Sequence, residues 1–347
     1  MLDLVPGDDT LAVMSIKPPD RSVTVLLRAL ICVAALALPL AAPAHAQTWP
    51  SRPVKLIVPT GPGTATDVMA RLLGDGIAKS LGQPIVVEDM PGASGILAHQ
   101  FVARAAPDGY TLLFTNTSGM AINLISFKQL SYDPARDFTP VAMVCSLGPQ
   151  MLSVNAELPV HSLAEFIAYA RQNRGKLSMA FDTTAGAAAF AAKLLNRRAE
   201  LGLVEVPYRS AAQMAQDTAG GTTQVMMSSI AAANAVVQAG KVRRLAVTSV
   251  KRFPGLPDLP SVSEAVPGVV MNGWFAVVAP AGTPADVVAR LNREIGEFLK
   301  GPLIQQRLLT FGLATEGAGT PASTGQFVRA EQSQWRALAK ELDIQPQ

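Results

Sequence analysis

Short apolar runs alternate with amphipathic stretches along most of the chain. Nine runs of four to six residues predict strands, at Val54–Pro59, Ile85–Glu88, Thr111–Thr115, Gln150–Val154, Leu177–Ala180, Leu203–Val206, Gln224–Met227, Arg243–Thr248 and Phe275–Ala279. Between the runs, apolar residues recur at helical spacing, for example from Asp67 to Leu81. Because strands that alternate with helices build parallel sheets, the pattern predicts an α/β fold.

Two breaks that contain glycine and proline divide this pattern. Gly148-Pro149 follows the apolar run Val141–Val144, and Pro267-Gly268 precedes Trp274. We interpret the breaks as two crossings of the chain between two lobes. The predicted first lobe holds residues 47–147 and 269–347, and the second lobe, residues 148–268, is inserted into it.

The two predicted lobes share a short sequence pattern. Residues 58–73 read V-P-T-G-P-G-T-A-T-D-V-M-A-R-L-L, and residues 180–195 read A-F-D-T-T-A-G-A-A-A-F-A-A-K-L-L. Both are a strand end, a loop of small residues and a helix that contains A-[R/K]-L-L. A match this short also arises by coincidence. If it reflects a common structure, each lobe presents one helix N-terminus to the cleft between them.

The first 46 residues have the organisation of a secretory signal peptide. Three basic residues precede the apolar run Ala29–Leu40, and Ala44-His45-Ala46 follows it. The run is too short to span a bilayer as a helix. We therefore expect residues 1–46 to be a signal peptide that is cleaved after Ala46, which leaves a periplasmic protein that does not span the membrane. Met14 is an alternative start of translation.

Composition narrows the classes of function. The remaining 301 residues carry 26 Lys and Arg against 22 Asp and Glu, and no basic run, which argues against nucleic-acid binding. Cys145 is the only cysteine in this part, so an intrachain disulfide is excluded, and we expect the thiol to be buried. The sequence has no Cys/His cluster and no H-E-x-x-H motif, so we predict no metal site.

The loop V-P-T-G-P-G-T-A-T-D, residues 58–67, is the first candidate site. It joins a predicted strand to a predicted helix, and the unpaired N–H groups of a helix start bind anions. A phosphate-binding P-loop requires a lysine that is absent here. A dinucleotide fingerprint is matched only in part, since Thr66 replaces its third glycine. An exported protein also has little nicotinamide cofactor to bind, so we predict no cofactor.

No set of catalytic residues can be assembled from the sequence. G-A-S-G at residues 92–95 lacks the G-x-S-x-G frame of a hydrolase nucleophile. His99 and His161, the only histidines after the signal peptide, are interpreted as packing or surface residues rather than general bases. We therefore predict that the protein is not an enzyme.

The carboxylate of a small solute remains as the anion. Its removal from water costs several kcal/mol, and each hydrogen bond to a charged group contributes about 1.5–3 kcal/mol. Three or four backbone donors at a helix start are therefore sufficient. Residues 182–187, D-T-T-A-G-A, have the same small-residue composition as residues 60–66. The alternative is that both are ordinary loops, with Thr66 or Asp67 capping the first helix.

From Trp49 to the C-terminus, the chain resembles the tripartite tricarboxylate transporter substrate-binding proteins, also called the Bug (Bordetella uptake gene) family. The resemblance rests on ten motifs in order: W-P-S-R-P-V-K-L-I-V-P (49–59), P-x-x-P-G-x-x-x-D (59–67), L-G-Q-P-I-V-V-E (81–88), A-P-D-G-Y-T-L-L (106–113), A-I-N (121–123), Y-D-P-x-x-D-F (132–138), V-P-Y-R-S (206–210), A-G-K-V-R-R-L-A-V-T-S (239–249), L-P-D-L-P-S-V-S-E-A (256–265) and A-P-A-G-T-P (279–284).

The resemblance implies a fold like that of type 2 periplasmic binding proteins, with two α/β lobes, a ligand cleft and two hinge crossings, near Gly148 and Gly268. It also implies a small carboxylate or a related polar metabolite as the ligand. Candidate substrate-binding residues are Thr60, Gly61, Pro62, Gly63, Thr64, Ala65, Thr66, Asn116, Asp182, Thr183, Thr184, Gly186, Ala187 and Ser228. Among them, Thr60, Asn116, Asp182 and Ser228 are the candidates for selectivity.

Four positions depart from the family pattern. Thr60 stands where the first loop of the family usually has an aromatic residue, and Thr64 stands where that loop usually has its second glycine. In the second loop Ala189 stands where the family often has a histidine, and Ser228 stands where it often has an acid. Each change removes a group or alters its polarity, so the ligand can differ from those of the relatives.

Three functions follow from these patterns. The first is a monomeric solute-binding protein that captures a small organic acid, with membrane transporter subunits as partners. The second is a periplasmic sensor that acts through a histidine kinase. The third is an exported enzyme with a dinucleotide-type fold, which is supported only by the partial match to the glycine fingerprint.

Overall fold

A computed structural model describes residues 49–146, 148–182 and 186–346. Of Asp182 it describes the backbone alone. The predicted signal peptide and the candidate residues Thr183 and Thr184 lie outside the described residues.

The described residues form ten strands and ten α-helices. The strands are β1 (Val54–Val58), β2 (Ile85–Asp89), β3 (Thr111–Asn116), β4 (Phe138–Cys145), β5 (Gln150–Asn155), β6 (Ser178–Asp182), β7 (Val204–Tyr208), β8 (Val225–Ser229), β9 (Val242–Val247) and β10 (Phe275–Pro280). The helices are α1 (Ala65–Leu81), α2 (Ile96–Ala103), α3 (Asn123–Ser126), α4 (Leu163–Gln172), α5 (Ala187–Arg198), α6 (Ala211–Ala219), α7 (Ile230–Gln238), α8 (Ala285–Leu299), α9 (Pro302–Thr310) and α10 (Pro321–Glu341). None of the helices in these ranges has the length and hydropathy required to cross a bilayer.

The strands form two five-stranded sheets, in the orders β2-β1-β3-β10-β4 and β7-β6-β8-β5-β9. This confirms the predicted α/β class. The expectation of parallel sheets is wrong for two strands, because β10 runs antiparallel to β3 and β4, and β5 runs antiparallel to β8 and β9. Each of these strands enters its sheet directly from the other sheet, which reverses its direction relative to its neighbours.

The two sheets have the same topology. β1 and β6 occupy the same place in their sheets, each paired in parallel with the following strand on one side and with a later strand on the other. The helices α1 and α5 follow these two strands. The sequence echo between residues 58–73 and 180–195 therefore corresponds to equivalent strand–loop–helix units.

The connections place the carboxyl ends of the parallel strands at a common junction. β4 runs in the same direction as β1 and β3, and four residues after its end β5 begins beside Ser229, the last residue of β8. The return connection passes alongside, since Gly273 N–H donates to the Gly148 carbonyl at 2.7 Å. A Cβ atom on residue 148 would lie 2.8 Å from the Gly273 oxygen, so this close approach requires glycine.

The C-terminal helix packs against the cores of both sheets. Val328 contacts the cluster that contains Ile57 and Leu113 of the first sheet. Farther along α10, Trp335 and Leu338 join the cluster built on the second sheet. Because α10 belongs to both cores, the lobe boundaries drawn at residues 147/148 and 268/269 stay a prediction.

Candidate functional site

The candidate residues lie at the carboxyl ends of central strands. The loop 60–66 follows β1, and Asn116 ends β3. In the second sheet, Gly186 and Ala187 begin the helix that follows β6, and Ser228 is the penultimate residue of β8. The chain continues from β1 and β3, and likewise from β6 and β8, to opposite sides of the sheet. Open α/β sheets bind ligands at such a switch point.

The first turn of α1 is capped by Thr64, and the helix begins at Ala65. The side-chain oxygen of Thr64 accepts a hydrogen bond from the Asp67 backbone N–H at 3.3 Å, and its hydroxyl donates to the Gly61 carbonyl at 2.9 Å. The Thr60 hydroxyl lies 2.7 Å from the Thr64 hydroxyl oxygen. The alternative that Thr66 or Asp67 caps this helix is wrong, because Thr64 is the residue with extended backbone that precedes the first helical residue.

Asp67 closes the loop from the third helical position. Its Oδ2 accepts from the Gly63 backbone N–H at 2.8 Å, and its Oδ1 lies 2.6 Å from Arg71 Nε. The loop thus satisfies part of its own donors. Others remain, among them the N–H groups of Ala65 and Thr66, which have no acceptor among the described residues, as expected for the first positions of a helix.

A second carboxylate shares the same arginine. Arg71 Nη2 lies 2.7 Å from Asp89 Oδ2 at the end of β2, and the side chains of both acids are largely buried. Burial raises the pKa of Asp89, and the nearby negative charge of Asp67 raises it further. Two acids against one guanidinium leave negative charge beside the loop. Helical spacing alone places Asp67 beside Arg71, whereas only the fold brings Asp89 to the same arginine.

The first turn of α5 carries no side-chain cap. Gly186 is its N-cap residue with extended backbone, and no acidic residue occupies the first turn. Within the described part of the chain, the N–H groups of Ala187 and Ala188 have no acceptor. The first turn of α5 therefore contains backbone donors and no acidic residue, whereas the first turn of α1 contains Asp67.

The side chains of Ser228 and Asn116 form hydrogen bonds with main-chain atoms. Ser228 is fully buried, and its hydroxyl donates to the Ser229 carbonyl at 3.1 Å. Ser229, which was not among the candidates, caps α7 by accepting from the Ala232 N–H at 3.3 Å. Asn116 Oδ1 accepts from the Gly119 N–H at 3.1 Å. β8 ends at Ser229 and α7 begins at the next residue, so a serine between a strand and a helix is the sequence signal for this cap.

His99 stabilises the part of the first sheet that lies next to the candidate loop, through two side-chain hydrogen bonds. Its Nδ1–H donates to the Gly95 carbonyl at 2.8 Å, and its Nε2 accepts from the Thr115 hydroxyl at 2.8 Å. Complete burial lowers the pKa of His99 to about 4. The turn that it holds packs against Pro59, since a Cβ on Gly95 would lie 2.9 Å from the Pro59 Cβ. His99 is thus a packing residue, as predicted, and so is Cys145, which is fully buried.

One cavity of the described residues lies away from the candidate site, and none of the candidate residues lines it. It has a volume of about 530 Å³ and is lined by apolar side chains that include Leu72, Phe298 and Leu303 of α1, α8 and α9. The candidate site is therefore assigned from the strand ends and the helix starts, because they carry polar groups that can orient a ligand.

Comparison with known proteins identifies relatives along most of the chain. The sequence model of the tripartite tricarboxylate transporter family receptor matches residues 69–344. A UPF0065 protein of Bordetella bronchiseptica is 36% identical over 320 residues, which cover 91% of this chain and 93% of that protein. The protein BugT of Bordetella pertussis is 33% identical over 304 residues, 87% of this chain and 93% of that protein.

Solved structures agree with these relatives. A Rhodopseudomonas palustris protein, Rpa4515 with adipate, superimposes with a TM-score of 0.77 and 35% identity over 86% of this chain and 100% of that one. The periplasmic binding protein BugD gives a TM-score of 0.73 at 30% identity over 86% and 100%. MatC of Rhodopseudomonas palustris with bound malate gives 0.71 at 32% identity over 84% and 99%. The chain therefore belongs to the tripartite tricarboxylate transporter receptor family of solute-binding proteins, the Bug family, as its motifs predicted.

Proposed function

We propose that this protein is a periplasmic solute-binding protein that captures a small organic acid and delivers it to the membrane subunits of a tripartite tricarboxylate-type transporter. Two relatives of similar fold carry adipate and malate, both small dicarboxylates. The proposal includes no catalytic step, no cofactor and no nucleic-acid partner. It takes residues 1–46 as the signal for export.

The observation that carries the proposal is the pair of equivalent helix starts. α1 and α5 follow corresponding strands of two sheets with the same topology, and the chain crossings join the sheets at the edges where these strands end. Each start has backbone N–H groups with no acceptor among the described residues. An anion between the two edges would meet donors from both.

The magnitudes favour a carboxylate. Burying it costs several kcal/mol. Two bonds from Ala65 and Thr66 would return about 3–6 kcal/mol in total, at about 1.5–3 kcal/mol for each bond to a charged group. The helix end would contribute about 0.3–1 kcal/mol more. A ligand with a second carboxylate can also use the N–H groups at the start of α5, so we expect dicarboxylates to bind more tightly than monocarboxylates of equal length.

The side chains near these donors would set selectivity. Thr60, Asn116, Asp182 and Ser228 are the proposed determinants, with Thr183 and Thr184 contributing from the second loop. The remaining loop residues, Gly61 to Thr64, would allow close approach of the ligand because their side chains are small or absent. Domain closure about the paired crossings at Gly148 and near Gly268 would be the functional motion.

A thermal-shift screen of the purified protein tests the proposal. Adipate, malate and other dicarboxylates should raise the Tm, monocarboxylates of equal length should raise it less, and the matching diamides should leave it unchanged. A variant with proline at residue 66 removes one proposed donor and should weaken binding, whereas a Thr66→Ser control keeps the backbone N–H. Stabilisation by a diamide, or equal binding by the proline variant, would contradict the carboxylate assignment.

A further inference from the structure

A small cavity lies between α10 and the chain segment that returns to the first sheet. Its volume is about 150 Å³, and its lining includes Val270, Asn272, Glu331, Gln334, Trp335 and Leu338. None of the candidate carboxylate-binding residues lines it. It is therefore a separate place in the molecule from the strand-end site.

Two acceptor groups of the lining residues, the Asn272 amide oxygen and the Glu331 carboxylate, have few donors among the described residues. The Asn272 Oδ1 atom is buried and has no donor among the described residues. Glu331 is half-buried, and its Oε2 accepts from the indole N–H of Trp274 at 2.9 Å and of Trp335 at 3.1 Å. Its other carboxylate oxygen has no donor within the described ranges, and no lysine or arginine of those ranges lines the cavity.

The charge of Glu331 is not explained by the two indoles. Two neutral N–H donors require an acceptor oxygen, which a glutamine amide supplies equally well. A carboxylate held partly out of water, with no cation beside it, is destabilising. Burial accordingly raises the pKa of Glu331. A cation in the cavity would compensate the charge of Glu331.

The lining also indicates which kind of cation fits. A bare metal ion such as Ca²⁺ takes six to eight oxygen ligands, whereas Glu331, Asn272 and Gln334 supply far fewer. The rest of the lining includes Val270, Leu338 and the indole of Trp335, which suit an alkyl group, and an indole face also attracts an ammonium group. We propose that this cavity binds a small alkylammonium ion, with its nitrogen on the Glu331 carboxylate and its carbon chain against the apolar side chains.

The experiment titrates the full-length purified protein with n-propylammonium chloride, with sodium chloride at equal ionic strength and 1-propanol as controls. Because Trp335 lines the cavity and Trp274 shares its carboxylate, binding should produce a saturable change in tryptophan emission. At ten times the midpoint concentration the Tm should rise by about 2 °C. The two controls should produce neither effect.

Two variants locate the response. Glu331→Gln keeps an acceptor for both indoles but removes the charge, so it should fold and lose the response to n-propylammonium. Val270→Phe, at a half-exposed position, should also lose it by filling the cavity, which covers the case that the first variant does not fold. Glu316→Gln, at an exposed acid before α10, is the matched control and should respond like the parent. No response of the parent, an unchanged response of Glu331→Gln or Val270→Phe, or a loss in Glu316→Gln would overturn the proposal.

Discussion

Burial of His99 makes the stability of the protein depend on pH in a defined direction. The imidazole is fully buried and neutral, with Nδ1–H donating to Gly95 and Nε2 accepting from Thr115. A proton added to Nε2 would turn this acceptor into a donor and place a charge in the core. The pKa in the folded protein is accordingly lowered to about 4, whereas an exposed histidine of the unfolded chain has a pKa of about 6.5.

The sign and the size of the effect follow from linkage. Because the unfolded chain binds the proton more readily, the contribution of His99 to stability is fully present above pH 6.5 and is lost as the pH falls from 6.5 to about 4. The interval corresponds to about 3 kcal/mol of unfolding free energy. This is a large part of the roughly 5–15 kcal/mol that is typical of a folded domain.

Urea unfolding between pH 7.5 and 4.5 measures this contribution. In His99→Asn the titrating group is removed, so the unfolding free energy should fall less steeply with decreasing pH than in the parent. The variant should also be less stable at pH 7.5, because Thr115 loses its acceptor, at a cost of about 1–3 kcal/mol. His161→Asn, at an exposed histidine, is the matched control and should keep the parent pH dependence. Equal slopes for the parent and His99→Asn would refute the reasoning.

Three further predictions concern the site and the crossing. Thr64→Ala removes the N-cap of α1 and should lower the unfolding free energy by about 1 kcal/mol, whereas Thr64→Ser should not; equal stability of the two variants would mean that the cap contributes nothing. Asp89→Asn removes negative charge beside the α1 loop, so it should tighten dicarboxylate binding at pH 7.5. Because the pKa of Asp89 is raised, acidic pH should change binding by the parent in a way that Asp89→Asn lacks, and calorimetry that finds the same pH dependence in both proteins would exclude this cause. Gly148→Ala forces its Cβ against the Gly273 oxygen and should cost about 1–3 kcal/mol in urea unfolding. Gly296→Ala, inside α8 with its Cβ at an ordinary 3.6 Å from Ala318, is the comparison and should cost nothing; equal losses in the two variants would contradict the clash at Gly148.

The nine strands predicted from apolar runs are all present, with ends displaced by one or two residues. β4 was not predicted as a strand, although its apolar residues Val141–Val144 were noted. It contains Pro140, which argues against a central strand, and it lies at the edge of its sheet, where a missing N–H is tolerated. The edge position is a property of the sheet and has no signal in the local sequence.

The sequence indicated where the candidate loops lie along the chain but not how their hydrogen bonds are arranged. Small residues between a strand and a helix identified the loop 60–66 and the start of α5 at Gly186. The sequence did not reveal that Thr64 caps α1, because Thr60, Thr64 and Thr66 are alike in type and only the backbone geometry distinguishes them. Asp67 and Arg71 are one helical turn apart, but Asp89 lies 18 positions beyond Arg71 on a neighbouring strand, so the sequence does not reveal that it shares the same arginine.

The sequence by itself determined nine of the ten strands of the described residues, the α/β class and the family, because these depend on local periodicity and on motifs that are read in order. Only the tertiary structure decided the direction of β5 and β10, the burial of His99 and the contact of Glu331 with two indoles. Trp274 and Glu331 are separated by 57 positions, yet they meet at 2.9 Å. Local preferences act over a few residues, whereas such contacts form only when whole elements pack and exclude water from between them.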